Sequence, residues 1–122
     1  MEQKNIHCPV GETIRLIGGK YKPLILWFLT EGTKRYGELQ KQIPEATPKM
    51  LTQQLRELEA DELISRTVYP VVPPRVDYAL TELGNSMAPM LEMMYQWGAD
   101  YLNAQGLCPN CAMKLHKKSP AE

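Results

Sequence analysis

The sequence predicts an α+β fold, mainly α, in which four short helices precede a two-stranded β-hairpin and a long closing helix. Three observations carry this. Apolar residues recur at helical spacing as far as Leu58 and again after Thr81. Thr47-Pro48 reads as an N-cap followed by a first helical residue, so one helix begins soon after Pro44 has stopped another. After Leu63 the pattern changes to two stretches rich in Ile, Val, Thr and Tyr, "ISRTVYP" and "RVDYALT", separated by "VVPP".

The first helix is expected over Gly11 to Ile17, with Ile14 and Ile17 near helical spacing and Gly18-Gly19 ending it. Lys22 to Leu29 forms the second, with Pro23 tolerable in its first turn. Leu24 to Leu29 is apolar on nearly every face, which places this helix at the centre of the core. Tyr36 to Ile43 is a short third helix with Leu39 and Ile43 inward, and the fourth starts at Thr47-Pro48. Two short helices joined by a turn of a few residues form a helix-turn-helix. The two prolines of "VVPP" cannot extend a central strand, so they mark a stiff hairpin tip. Thr81 is expected to cap the long last helix, along which Leu83, Met87, Met90, Leu91, Met94, Trp97 and Tyr101 recur at helical spacing. Pro89 inside that helix should kink it. A helix-turn-helix followed at once by a hairpin is a winged helix-turn-helix. Residues 1–107 form this domain, and residues 108–122 form a Cys-, Lys- and Pro-rich tail.

With 122 residues, 43% of them hydrophobic and 23% charged, the chain has the profile of one packed domain rather than of a disordered segment. It has no apolar run long enough to span a bilayer and no apolar segment of the signal-peptide kind at its start, so no membrane partner and a cytoplasmic location are expected. Three cysteines argue against a disulfide framework. The formal net charge is zero, but the charge is sorted. Lys34, Arg35, Lys41, Lys49 and Arg56 outnumber the acids between Lys34 and Arg56, whereas Glu57, Glu59, Asp61 and Glu62 follow without a base. An enzyme is not expected: there are only two histidines, both near the termini, and no phosphate-binding glycine loop.

Lys49, Gln53 and Arg56 are spaced i, i+4, i+7 and share one face of the fourth helix, flanked by Thr52. These side chains suit the base edges of a major groove: Arg and Lys pair with guanine, Gln with adenine, and Thr is less selective. They occupy the N-terminal half, which a recognition helix presents to bases. The end capped by Thr47 also offers free N–H groups to a phosphate. The acids that follow should lie where the helix leaves the groove. Lys34 and Arg35 are expected on phosphates, and Arg66 and Arg75, flanking the hairpin loop, on a phosphate or a minor groove.

The segments "CPVGETIRLIGGKYKPLILWFL", "RYGELQKQI", "PKMLTQQLRELEADELISR", "VVPPRVDYALTELG" and "WGADYL" resemble the HxlR-type winged-helix regulators of bacteria, relatives of the MarR regulators. The resemblance runs from about Cys8 to Leu102. It implies a homodimeric transcriptional regulator binding a pseudo-palindromic operator in double-stranded DNA, with the dimer made by the N-terminal segment and the last helix. The Met87, Met90, Met93 and Met94 stripe then reads as core and dimer interface, against the alternative of a pliable effector pocket. Three residues depart from the family pattern: Tyr21 stands for Trp, Glu62 for Gly and Ala46 for a larger apolar residue. Cys8 matches a cysteine that senses oxidants or electrophiles in some members. Lys4, His7 and Arg15 are near it in sequence, cationic neighbours of the kind that make a thiol reactive.

In the tail, Cys108 and Cys111 have the spacing of half a zinc site, with His116 a third ligand. No cofactor is expected, since a tetrahedral zinc site lacks a fourth local ligand; the pair could instead form a redox disulfide. Two other functions fit the residues: a winged-helix module whose polar helix face docks a protein, and a thiol-based redox protein using Cys108 and Cys111.

Overall fold

The computed structural model describes residues 8–107. Lys4, His7, Cys108, Cys111, His116 and the tail 108–122 lie outside the described residues. Helix α1 (Pro9–Ile17) starts two residues earlier than the sequence suggests, because Cys8 takes the N-cap position and Pro9 suits the first turn. Only its last residue, Ile17, is buried. Helix α2 (Lys22–Leu29) is the central element: Ile25 to Leu29 are each at most 5% exposed. Around it stand α3 (Tyr36–Gln42) and α4 (Pro48–Ala60). Leu39, Ile43, Leu51, Leu55 and Leu58 close the core with Leu63 and Ile64. Each such side chain contributes about 1.5–3 kcal/mol by leaving water.

The hairpin is formed by β2 (Ile64–Tyr69) and β3 (Arg75–Leu80), paired antiparallel from Ile64 opposite Leu80 to Tyr69 opposite Arg75. A third strand joins it. The two residues Lys34–Arg35 form β1 and pair with Tyr78 and Asp77 on the other edge of β3, so the sheet order is β1, β3, β2. A two-residue strand has no alternation for a sequence pattern to reveal; its partner, 42 to 44 positions away, creates it.

The closing helix is also corrected. Thr81 does cap a helix, its hydroxyl accepting from the Gly84 N–H at 3.0 Å, but that helix is α5 (Glu82–Asn85), four residues long. The chain turns at Ser86 and Met87, and the long helix, α6 (Ala88–Ala104), begins afterwards. Pro89 therefore sits in a first turn, where its missing N–H costs nothing, and kinks no helix. Pro89 has no N–H to donate to the Asn85 carbonyl, so α5 cannot run on unbroken into α6. Gly84 packs α5 so close to the Leu63 carbonyl that a Cβ there would be 2.0 Å from its oxygen.

The corner between α4 and β2 explains one departure. Glu62 has φ 64°, in the left-handed region. The Leu63 N–H reaches the Leu58 carbonyl at 3.0 Å and the Glu62 N–H reaches that of Glu59 at 2.9 Å. These are the two bonds of a Schellman cap, whose left-handed position favours glycine. Buried Leu58 and Leu63 flank the motif. The corner keeps its geometry with Glu in place, at a cost in backbone strain.

Candidate nucleic-acid interface

Three leucines, Leu51, Leu55 and Leu58, are buried and fix the inward face of α4. Its start is held separately. The Thr47 hydroxyl accepts from the Met50 N–H at 3.1 Å, and the Tyr36 hydroxyl donates to the Pro48 carbonyl at 3.3 Å. In the preceding turn Ile43 and Ala46 are buried, and the Tyr21 hydroxyl donates to the Glu45 carbonyl at 3.2 Å. Tyr21 thus ties down the turn that holds Ala46: the aromatic that stands for Trp brings a hydroxyl that bonds the residue preceding the smaller apolar one.

On the outward face Lys49, Gln53 and Arg56 are exposed, with Thr52 half-buried beside them. Pro48, Lys49, Thr52, Gln53 and Arg56 line one shallow concavity. Thr52 and Arg56 also line a second cleft, between α4 and the hairpin, together with Glu59, Arg66 and Tyr78. Burial raises the Tyr78 phenol above its ordinary pKa, so it is a neutral hydroxyl donor there. Among the described residues, Lys49, Arg56 and Arg35 have no carboxylate at ion-pair distance.

The other basic residues are less free than the sequence suggests. Lys34 Nζ lies 2.7 Å from Glu31 and its side chain is largely covered. Arg66 does not flank the loop. It pairs with Tyr78 inside the ladder, and its Nε is 3.6 Å from Glu59 on α4. Arg75 does stand at the loop, opposite Tyr69. Its guanidinium donates to both carboxylate oxygens of Asp77, at 3.3 and 3.1 Å, and lies 4.8 Å from the centre of the Tyr69 ring. The hydrogen bonds from Arg75 hold the Asp77 carboxyl below its ordinary pKa. Lys34, Arg35, Tyr69, Arg75 and Asp77 line one polar cleft. Sequence reasoning passed over Asp77, although Arg75 and Asp77 two apart on a strand must share a face.

The acidic end of α4 has internal partners, which sequence reasoning also missed. Glu57 accepts from Lys22 at 2.7 Å and from Gln53 at 3.2 Å, and these bonds, that to Lys22 first, lower its carboxyl pKa. Glu59 faces Arg66, Asp61 closes the helix and Glu62 makes the left-handed corner.

Away from this face, Val10 and Ile14 of α1 and Met93, Met94, Trp97 and Tyr101 of α6 are exposed. Met87 and Met90 pack on the core instead, so the methionine stripe divides between core and surface. Cys8 is exposed at the N-terminus of α1, and Arg15 is bound to Glu12 at 2.8 Å. Among the described residues no helix is long and apolar enough to cross a membrane.

The profile of the HxlR-like helix-turn-helix family matches residues 16–106. The chain belongs to that family. It is 52% identical over 103 residues to the HTH-type transcriptional regulator YtcD of Bacillus subtilis, covering 84% of this chain and 82% of YtcD. A solved structure of YtcD superposes with a TM-score of 0.75, over 80% of this chain and 99% of that one. The redox regulator HypR in its oxidized form matches at TM-score 0.74 and 45% identity, over 76% of this chain and 96% of its own. Its reduced form matches at TM-score 0.76 and 41% identity, over 81% and 98%. This HxlR-like chain is accordingly a winged helix-turn-helix transcriptional regulator that binds DNA, and it is not an enzyme.

Proposed function

We propose that two copies of this HxlR-like chain address a two-fold-symmetric operator, with half-sites about one helical turn apart. Lys49, Thr52, Gln53 and Arg56 read base edges in the major groove. Thr47 at the helix start, Arg35 in the short edge strand and Arg66 in the cleft meet phosphates. Arg75 at the hairpin tip reaches a phosphate or the minor groove, and Lys34 contributes if it exchanges Glu31 for phosphate. One observation carries the reading: Lys49 and Gln53 in the N-terminal half of α4, and Arg56 one turn further on, are exposed donors on the side of a helix whose opposite face is locked into the core. The apolar surfaces of α1 and α6 support a dimer, because a patch of this kind on a small chain calls for a partner.

The salt dependence of binding to genomic DNA fragments tests it. Neutralising phosphates releases counterions, so the logarithm of the affinity must fall linearly with that of salt, by about 0.9 per phosphate neutralised. No retention on DNA at low salt would contradict the reading and favour a protein-docking module.

Cys8 is, in this reading, the group that answers oxidants or electrophiles. Its exposure at the start of α1, next to the apolar face, supports this, as does the likeness to HypR, a redox regulator. Treating the protein with diamide should change the DNA affinity of the wild type and leave Cys8→Ser unaffected. An equal response of Cys8→Ser would assign the sensing elsewhere.

A further inference from the structure

Lys22 is a buried lysine, 7% exposed, at the first position of the central helix. A buried ammonium is tolerated only when paired. Its partner is Glu57 Oε1 at 2.7 Å, on the third turn of α4. The other carboxylate oxygen, Oε2, accepts from Gln53 Nε2 at 3.2 Å. The core lysine thus pins a carboxylate, and the carboxylate holds the amide of a groove-facing side chain.

That contact has a chemical consequence. An ionised carboxylate only accepts, so the amide must turn its NH2 end toward Glu57. Gln53 Oε1 and the second N–H are then left for whatever faces the helix. One acceptor beside one donor is the edge that adenine requires, accepting from N6 and donating to N7. A glutamine free to rotate would offer its two ends in either order. We infer that Glu57 is a positioning residue for base recognition: held by Lys22, it fixes the orientation of the Gln53 amide and so selects adenine at the position that Gln53 reads. This deepens the groove-recognition reading and rests on it. The acid occupies a place where its charge is repelled by DNA, so its presence costs affinity for every sequence while raising discrimination among them.

The opposed signs make the test sharp. A duplex recovered by the wild-type protein from a random-sequence pool serves as probe, along with its single-base-pair variants and a random-sequence duplex. Affinities are measured by fluorescence anisotropy for the wild type, Gln53→Ala, Glu57→Gln, Lys22→Met and the Gln53→Ala/Glu57→Gln pair, with thermal unfolding of each. Gln53→Ala should abolish preference at one base pair, about a tenfold loss or more. Glu57→Gln should reduce the preference at that same base pair by about three- to tenfold, without weakening binding to the random duplex. In the Gln53→Ala background it should reduce it no further. Lys22→Met, whose side chain lies away from the exposed face, should act at the same base pair as Glu57→Gln.

A preference unchanged in Glu57→Gln, or lost equally at all positions or in the Gln53→Ala background, would overturn the positioning role while leaving groove recognition intact. If Gln53→Ala relaxes no position at all, groove recognition by Gln53 fails, and the inference with it. A weaker fold alone would lower binding to selected and random duplexes together, which separates it from the expected result.

Discussion

The Leu63 N–H donates to the Leu58 carbonyl at 3.0 Å, closing α4 around a Glu62 held at φ 64°. A side chain at this left-handed position costs about 1–2 kcal/mol relative to the right-handed one, and glycine escapes that cost. Glu62 is exposed, and no hydrogen bond or ion pair of its side chain is found among the described residues. Glu62→Gly should therefore stabilise the fold by about 1 kcal/mol, read as a higher denaturation midpoint at unchanged slope. A lower midpoint would show that the glutamate side chain does something the strain argument omits.

The Arg75–Asp77 pair predicts a pH dependence with a definite sign. The native Asp77 carboxyl titrates below its ordinary value of 3.8, chiefly because Arg75 donates to it. A carboxyl with a lowered native pKa stabilises the fold at pH values above its unfolded pKa, and the contribution disappears as pH falls through the native value. Asp77→Asn should therefore melt below the wild type at neutral pH, and the gap should narrow below about pH 4. A gap that stays constant with pH would mean that the aspartate acts by packing and not by charge.

These two features show where the sequence could be read and where it could not. The Thr47 cap, the leucines of α4 and the two strands of the hairpin were legible because each is encoded within a few residues. The family resemblance singles out Glu62, but only its left-handed φ says why that corner prefers glycine. The strand at Lys34–Arg35 has no local pattern and exists through its pairing with β3. The approach of Gly84 in α5 to the Leu63 carbonyl, across 21 positions of chain, is likewise set by packing between elements. The candidate base-reading residues Lys49, Thr52, Gln53 and Arg56 follow from spacing alone, but the partners that restrain their neighbours do not. Lys22 meets Glu57 across elements, and Arg66 meets Glu59 because the hairpin folds back over α4. Glu57 and Glu59, the first two acids after Arg56, which look in sequence like part of a simple change of charge, are engaged in these contacts.

The apolar face of α1 and α6 yields a prediction about assembly. Trp97 is 71% exposed and stacks on Tyr101 with ring centres 5.6 Å apart. If a second copy covers this face, Trp97→Glu buries a charge in the interface and should shift the protein to monomer in analytical ultracentrifugation. Its thermal unfolding should become independent of protein concentration. A variant that sediments as the wild type does would place the contact elsewhere.

The central claim is that the outward face of α4 reads bases. DNase footprinting on a duplex selected by the wild-type protein tests it most directly, with Gln53→Ala and Arg56→Ala combined in one chain. Each substitution should weaken specific binding by about 1–3 kcal/mol, so protection by the double variant should require far more protein. Its thermal unfolding should match the wild type, since both side chains are exposed. Unchanged protection at wild-type concentrations would contradict the account.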